Sequence, residues 1–124
     1  MTTRRGPAPP KDLAPGGAEL WRAIVKTGPL RADSLRILLD ACREADLIDE
    51  LEAALVGQPR TVKGSQGQSV IHPIISELRQ HRSVLSALLR SLDLASLDRG
   101  GEDEARGAHE AAISLARARW AKAS

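Results

Sequence analysis

"PIISELRQHRSVLSALLRSL", residues 73–92, carries the clearest period in the chain. Ile74, Leu78, His81, Leu85, Leu88 and Leu92 follow at steps of 4, 3, 4, 3 and 4, and Ile75 and Leu89 widen the stripe. Side chains at those steps share one face of an α-helix, so the spacing predicts a helix from Pro73 to Leu92 with a heptad-like apolar seam. Pro73 suits the first turn, where its missing N–H has no partner to lose. A seam of this kind needs cover, either from another helix of the same chain or from the same helix of a sister copy. These six positions are therefore the candidate subunit contacts. His81 sits on the seam, where an imidazole is ordinarily a hydrogen-bonded interior group; its other reading is a pH-sensitive contact between copies.

Just upstream lies "TVKGSQGQSVIHP", residues 61–73. A glycine loop beside Lys63 invites comparison with a phosphate cradle. In that cradle, however, Lys and Ser or Thr close the glycine loop, whereas here Lys63 precedes Gly64 and a short polar arm follows. The expected structure is a β-hairpin over residues 60–71, with extended arms on either side of Gly64-Ser65-Gln66-Gly67. His72 then falls at the N-cap of the following helix. A lone two-stranded hairpin is marginal in water and calls for a packing partner.

Further upstream, Leu35, Leu38, Leu39, Cys42, Ile48, Leu51 and Leu55 keep helical spacing, which predicts a helix from an Asp33 cap to Val56, stopped by Gly57 and Pro59. A shorter helix is expected over residues 18–26, with Leu20, Trp21, Ile24 and Val25 on its apolar side and Gly28-Pro29 beyond it. Residues 1–17, rich in Pro and Gly, read as a flexible basic arm. Residues 18–95 then form a helical core domain and residues 96–124 a linker and a C-terminal helix. That helix is expected near 102–121. Its acidic start and basic end complement the helix dipole, but its face is mostly Ala, which places it outside the main core.

With 124 residues there is one domain's worth of chain. Its apolar side chains are Leu, Ile, Val and Ala, with two Trp and no Phe or Tyr. Such a palette favours helices, and the fold class expected is mainly α. No stretch approaches the roughly 18 apolar residues of a membrane span, and the two Arg near the start precede no apolar region of the secretory kind. Cys42 is the sole cysteine, so no internal disulfide forms; among Leu and Ala it reads as a small buried residue of a protein in a reducing cytoplasm.

Charge is unevenly spread. Residues 1–32 carry six basic and two acidic side chains, residues 33–59 two and seven, and residues 60–99 six and three. Two basic blocks around an acidic one fit polyanion binding or head-to-tail contacts between copies. The candidate phosphate contacts are Arg4, Arg5 and Lys11 in the arm, Arg22, Lys26 and Arg31 on and after the first helix, and Arg60 and Lys63 at the hairpin. Scarce aromatics argue against base stacking on single strands. His72, His81 and His109 are scattered, with no metal-ligand spacing, and no nucleophile motif frames a Ser. Neither a metal nor another cofactor is expected, and no enzyme activity.

Taken together, "LWRAIVKTGPLRADSLRILLDACREADLIDELEAAL" and "TVKGSQGQSVIHPIISELRQHRSVLSALLRSLDLA" resemble the small terminase subunits of tailed bacteriophages and prophages, over about residues 13–95. The resemblance is carried by the Trp of the first helix, the Asp-led second helix with a Cys midway, the "KGSQGQ" turn before the helix-opening Pro, and the Leu-rich third helix ending in "LDL". It implies a non-enzymatic packaging component of the bacterial host cytoplasm. Such subunits form ring-like homo-oligomers, bind double-stranded viral DNA, and present it to a large terminase subunit that holds the ATPase and nuclease. Two positions depart from the pattern: His72 stands where many relatives carry Asn, and Asp93 where many carry Gly. The alternative expectation is a small helix-turn-helix regulator, a prophage repressor or antitoxin, with "TGPLRAD" as its turn. That role would place base-reading side chains at the start of the second helix, where Asp33 and Ser34 stand. A third is a protein-only adaptor that uses the seam.

Overall fold

The computed structural model describes residues 6–98 and 103–122. Among them the chain forms α1 (Pro15–Val25), α2 (Ala32–Leu55), the hairpin strands β1 (Thr61–Lys63) and β2 (Ser69–Ile71), α3 (Pro73–Asp98) and α4 (Asp103–Ala116). A π-helical turn, Arg117–Ala121, continues α4. The molecule is thus mainly helical with one small antiparallel hairpin, as its composition and periodicity predict.

The largest packing surface lies between α2 and α3. Leu38, Ala41, Cys42, Ala45 and Ile48 of α2 are buried with Leu78, Leu85, Leu89 and Leu92 of α3. This identifies what covers the seam. Leu85 and Leu89 have no exposed surface at all, and Ile74 and Leu88 pack against the same core at its edge. His81 reaches α2, its Nδ1 lying 2.6 Å from Glu44 Oε2. Of the candidate subunit contacts, Leu78, Leu85 and Leu92 are buried within the chain, while Ile74, His81 and Leu88 are half-buried along the edge of the α2–α3 contact. Each buried leucine contributes roughly 1.5–3 kcal/mol.

At its start α1 departs from expectation. It begins at Pro15, so Gly16 and Gly17 belong to the helix and not to the preceding arm. No side chain of its own caps it. Asp46 of α2 does so instead, its carboxylate accepting the Ala14 N–H at 2.8 Å and the Gly17 N–H at 2.6 Å. The two glycines let α1 come that close: a Cβ on Gly17 would stand 2.6 Å from Asp46 Oδ2 and 2.7 Å from the Cys42 carbonyl oxygen. Residues 6–14 fold back as well. Trp21 Nε1 donates to the Pro7 carbonyl at 2.7 Å, Leu13 packs on the core, and Arg43 pairs with Asp12 at 3.4 Å.

The helix α2 starts at Ala32, and Asp33 lies in its first turn, where its Oδ1 accepts the Ser34 N–H at 2.8 Å. The hairpin pairs Thr61 with Ile71, Val62 with Val70 and Lys63 with Ser69. Gly67, at φ +82°, supplies the left-handed turn residue. The strands pack mainly on each other, and the His72 N–H donates to the Arg60 carbonyl at 2.7 Å, closing the hairpin base. His72 Nδ1 in turn accepts the Ile74 N–H at 3.1 Å, the expected cap.

Contrary to its placement outside the core, α4 is part of it. Ile113, Ala116 and Trp120 are each 3% exposed. Through these side chains α4 packs on α3 and α1, and the Trp120 indole N–H reaches Asp49 Oδ1 of α2 at 3.0 Å. His109 is fully buried, its Nε2 3.2 Å from the Leu92 carbonyl and its Nδ1 3.1 Å from Thr27 Oγ1. A carbonyl can only accept, so Nε2 carries a proton.

Candidate nucleic-acid interface

Of the eight predicted phosphate contacts, Arg4 and Arg5 lie outside the described residues. The other six, Lys11, Arg22, Lys26, Arg31, Arg60 and Lys63, are all exposed. Four of them form two groups. Arg22 in the last turn of α1 and Lys26 at its C-cap stand four residues apart, and Lys26 borders a groove between α1 and α4. Arg60 and Lys63 belong to the hairpin, and Arg60 borders a different groove of about 720 Å³ between the end of α2 and α3.

Carboxylates engage four arginines outside this set. Arg36 pairs with Asp40 at 3.5 Å, Arg43 with Asp12 at 3.4 Å, Arg82 with Glu52 at 2.7 Å and Arg119 with Glu19 at 2.7 Å. Of the predicted contacts only Arg31 is so engaged, with Asp33 at 3.4 Å. Among the described residues, Lys11, Arg22, Lys26, Arg60 and Lys63 have no carboxylate within ion-pair distance. Asp40 and Glu52 of α2, Asp12 of the arm and Glu19 of α1 thus each neutralise one arginine.

Sequence periodicity passed over Arg79 and Arg82 of α3, which line the same groove as Arg60 together with Ser83 and Ser86. The signal was present. Arg79, Arg82 and Ser86 stand one position after Leu78, His81 and Leu85 of the seam, so they repeat its rhythm displaced by one residue.

At the start of α2, Asp33 is exposed and Ser34 is 2% exposed. Arg31 and Arg36, the cations on either side, are each turned to a carboxylate. A recognition helix presents base-reading side chains at its start; here those positions hold an exposed carboxylate and a buried serine.

Nucleophilic and metal chemistry find little to use among the described residues. No group of three or more His, Cys, Asp and Glu is placed to hold a metal ion. Cys42 is fully buried; that burial, reinforced by the nearby Asp46 carboxylate, pushes its thiol up to about 12, which disfavours the reactive thiolate. Among the described residues no helix is long and apolar enough to cross a membrane.

Comparison with known proteins finds no similar family model, curated protein or solved structure.

Proposed function

We infer that this chain is a small terminase subunit: a non-enzymatic, oligomeric factor that binds double-stranded viral DNA and delivers it to a large ATPase-nuclease subunit in the host cytoplasm. The observation that carries the DNA-binding part is that the exposed cations Arg22 and Lys26 of the first helix and Arg60 and Lys63 of the hairpin have no carboxylate within ion-pair distance among the described residues. Charges left in this state neutralise phosphates and release counterions without reading sequence. The resemblance over residues 13–95 supplies the packaging context. The packing of the buried leucines of α3 on α2 supports ring assembly through other surfaces or through the half-buried edge of the seam.

The test combines native mass spectrometry with duplex titration in rising salt. An oligomer that binds duplex DNA with a negative slope of log K against log salt is the expected result. A monomer that ignores duplex DNA at low salt overturns this function.

A further inference from the structure

We propose that the groove between the end of α2 and α3 is the seat of a deoxyribose-phosphate strand, with Arg60, Arg79 and Arg82 holding its phosphates. This rests on the DNA-binding reading above and assigns it a surface that the sequence pattern did not single out.

Hydrogen-bond supply and demand in the groove are unequal. Three guanidiniums converge on it, each with five N–H donors. Glu52 is its one lining carboxylate, and it is already committed to Arg82 at 2.7 Å. That pair fixes the Arg82 guanidinium, whose side chain is only 18% exposed, and leaves its remaining donors for a ligand. Arg79 is exposed and has no ion-pair partner among the described residues. Ser83 and Ser86 add hydroxyls on the next turns of α3, so the donors run along the helix at about 5.4 Å per turn. What is missing is an extended anion with many acceptor oxygens.

The walls select among such anions. Val56 and Ile75 give the groove apolar surface beside its cationic rim, and Val56 is 80% exposed. A DNA strand alternates charged phosphates with apolar sugar edges, and protein contacts to DNA fall largely on those two groups. Arg60 anchors the far wall through the hairpin base, where its carbonyl is held by the His72 N–H. Lys63, uncompensated on β1, continues the positive charge beyond the groove.

The test uses the full chain, a fluorescein-labelled DNA duplex and anisotropy over a range of salt. Arg60→Gln with Arg79→Gln is the groove variant, and Arg22→Gln with Lys26→Gln removes the same charge from α1. All four side chains are exposed and unpaired, so the fold should persist, with an unchanged circular dichroism spectrum as the check. The groove variant should bind roughly tenfold more weakly at low salt and lose about 2 from the salt slope, near 0.9 per phosphate contact. The α1 variant should lose less on both counts. Equal losses in the two variants, or none in the groove variant, overturn the groove while leaving DNA binding intact. A parent chain that binds no duplex overturns both, and if polyglutamate then binds the parent but not the groove variant, the occupant is an acidic peptide instead.

Discussion

Asp46 does the work of a capping residue from another helix. Its carboxylate takes the Ala14 and Gly17 N–H groups that α1 leaves unsatisfied, and Gly17 provides the space. Gly17→Ala brings a Cβ to 2.7 Å from the Cys42 carbonyl oxygen, a backbone atom that cannot swing away. Alanine's better helix propensity returns about 1 kcal/mol at most, less than the about 1–3 kcal/mol that overpacking costs. Urea unfolding should therefore show Gly17→Ala destabilised, while Gly107→Ala, which meets nothing within 4 Å, should be neutral or stabilised. Equal behaviour of the two would remove the close approach from the account. Cys42, one turn before Asp46, gives the second prediction at this scale. Its folded thiol lies well above its ordinary value near 9, chiefly through burial and then through the Asp46 charge. Below about pH 9 the thiol is protonated in both folded and unfolded chains, and its contribution is fully present. Between about 9 and 12 the unfolded thiol ionises first, so stability falls by at most about 1.4 kcal/mol per pH unit. Urea midpoints between about pH 8 and 10 should drop more steeply for the parent than for Cys42→Ala; parallel curves would show that the thiol is not held protonated.

At the scale of elements, a signal was readable wherever it was local. The period of α3, the helical spacing of α2, the glycine-tipped hairpin and the His72 cap all follow from side chains within a few positions of one another. The start of α1 does not. Pro15-Gly16-Gly17 has the composition of a linker, and only the carboxylate of Asp46, 29 residues away from Gly17, turns it into a helix terminus. The fate of α4 was hidden for a related reason. An alanine face states that something can approach closely without stating what, and the answer lies in distant partners: Asp49 for Trp120, and Thr27 and Leu92 for His109. The cationic groove shared both difficulties. Its α3 residues keep a visible period, but only the arrival of Arg60 and Glu52 from outside α3 makes them a site.

For the molecule as a whole, the consequential fact is which copy covers the seam. Leu85 has no exposed surface because α2 and α3 of one chain close over it, so its removal should be felt by the folded chain itself. Leu85→Ala deletes buried methyl groups and leaves a cavity, at a cost of about 2–5 kcal/mol. Leu115, 72% exposed on α4, is the contrasting position; its truncation should change the stability of an isolated chain by no more than about 0.5 kcal/mol. The two possible locations of the seam predict different dependence on protein concentration. A leucine inside the chain lowers the urea midpoint by the same amount in dilute and concentrated samples, and leaves the masses seen by native mass spectrometry unaltered before unfolding. A leucine between copies would instead shift the assembly toward monomers that keep their helical spectrum, and the loss would shrink as concentration rises. The first pattern is expected for Leu85→Ala. The second would return α3 to a subunit interface and require α2 to pack elsewhere.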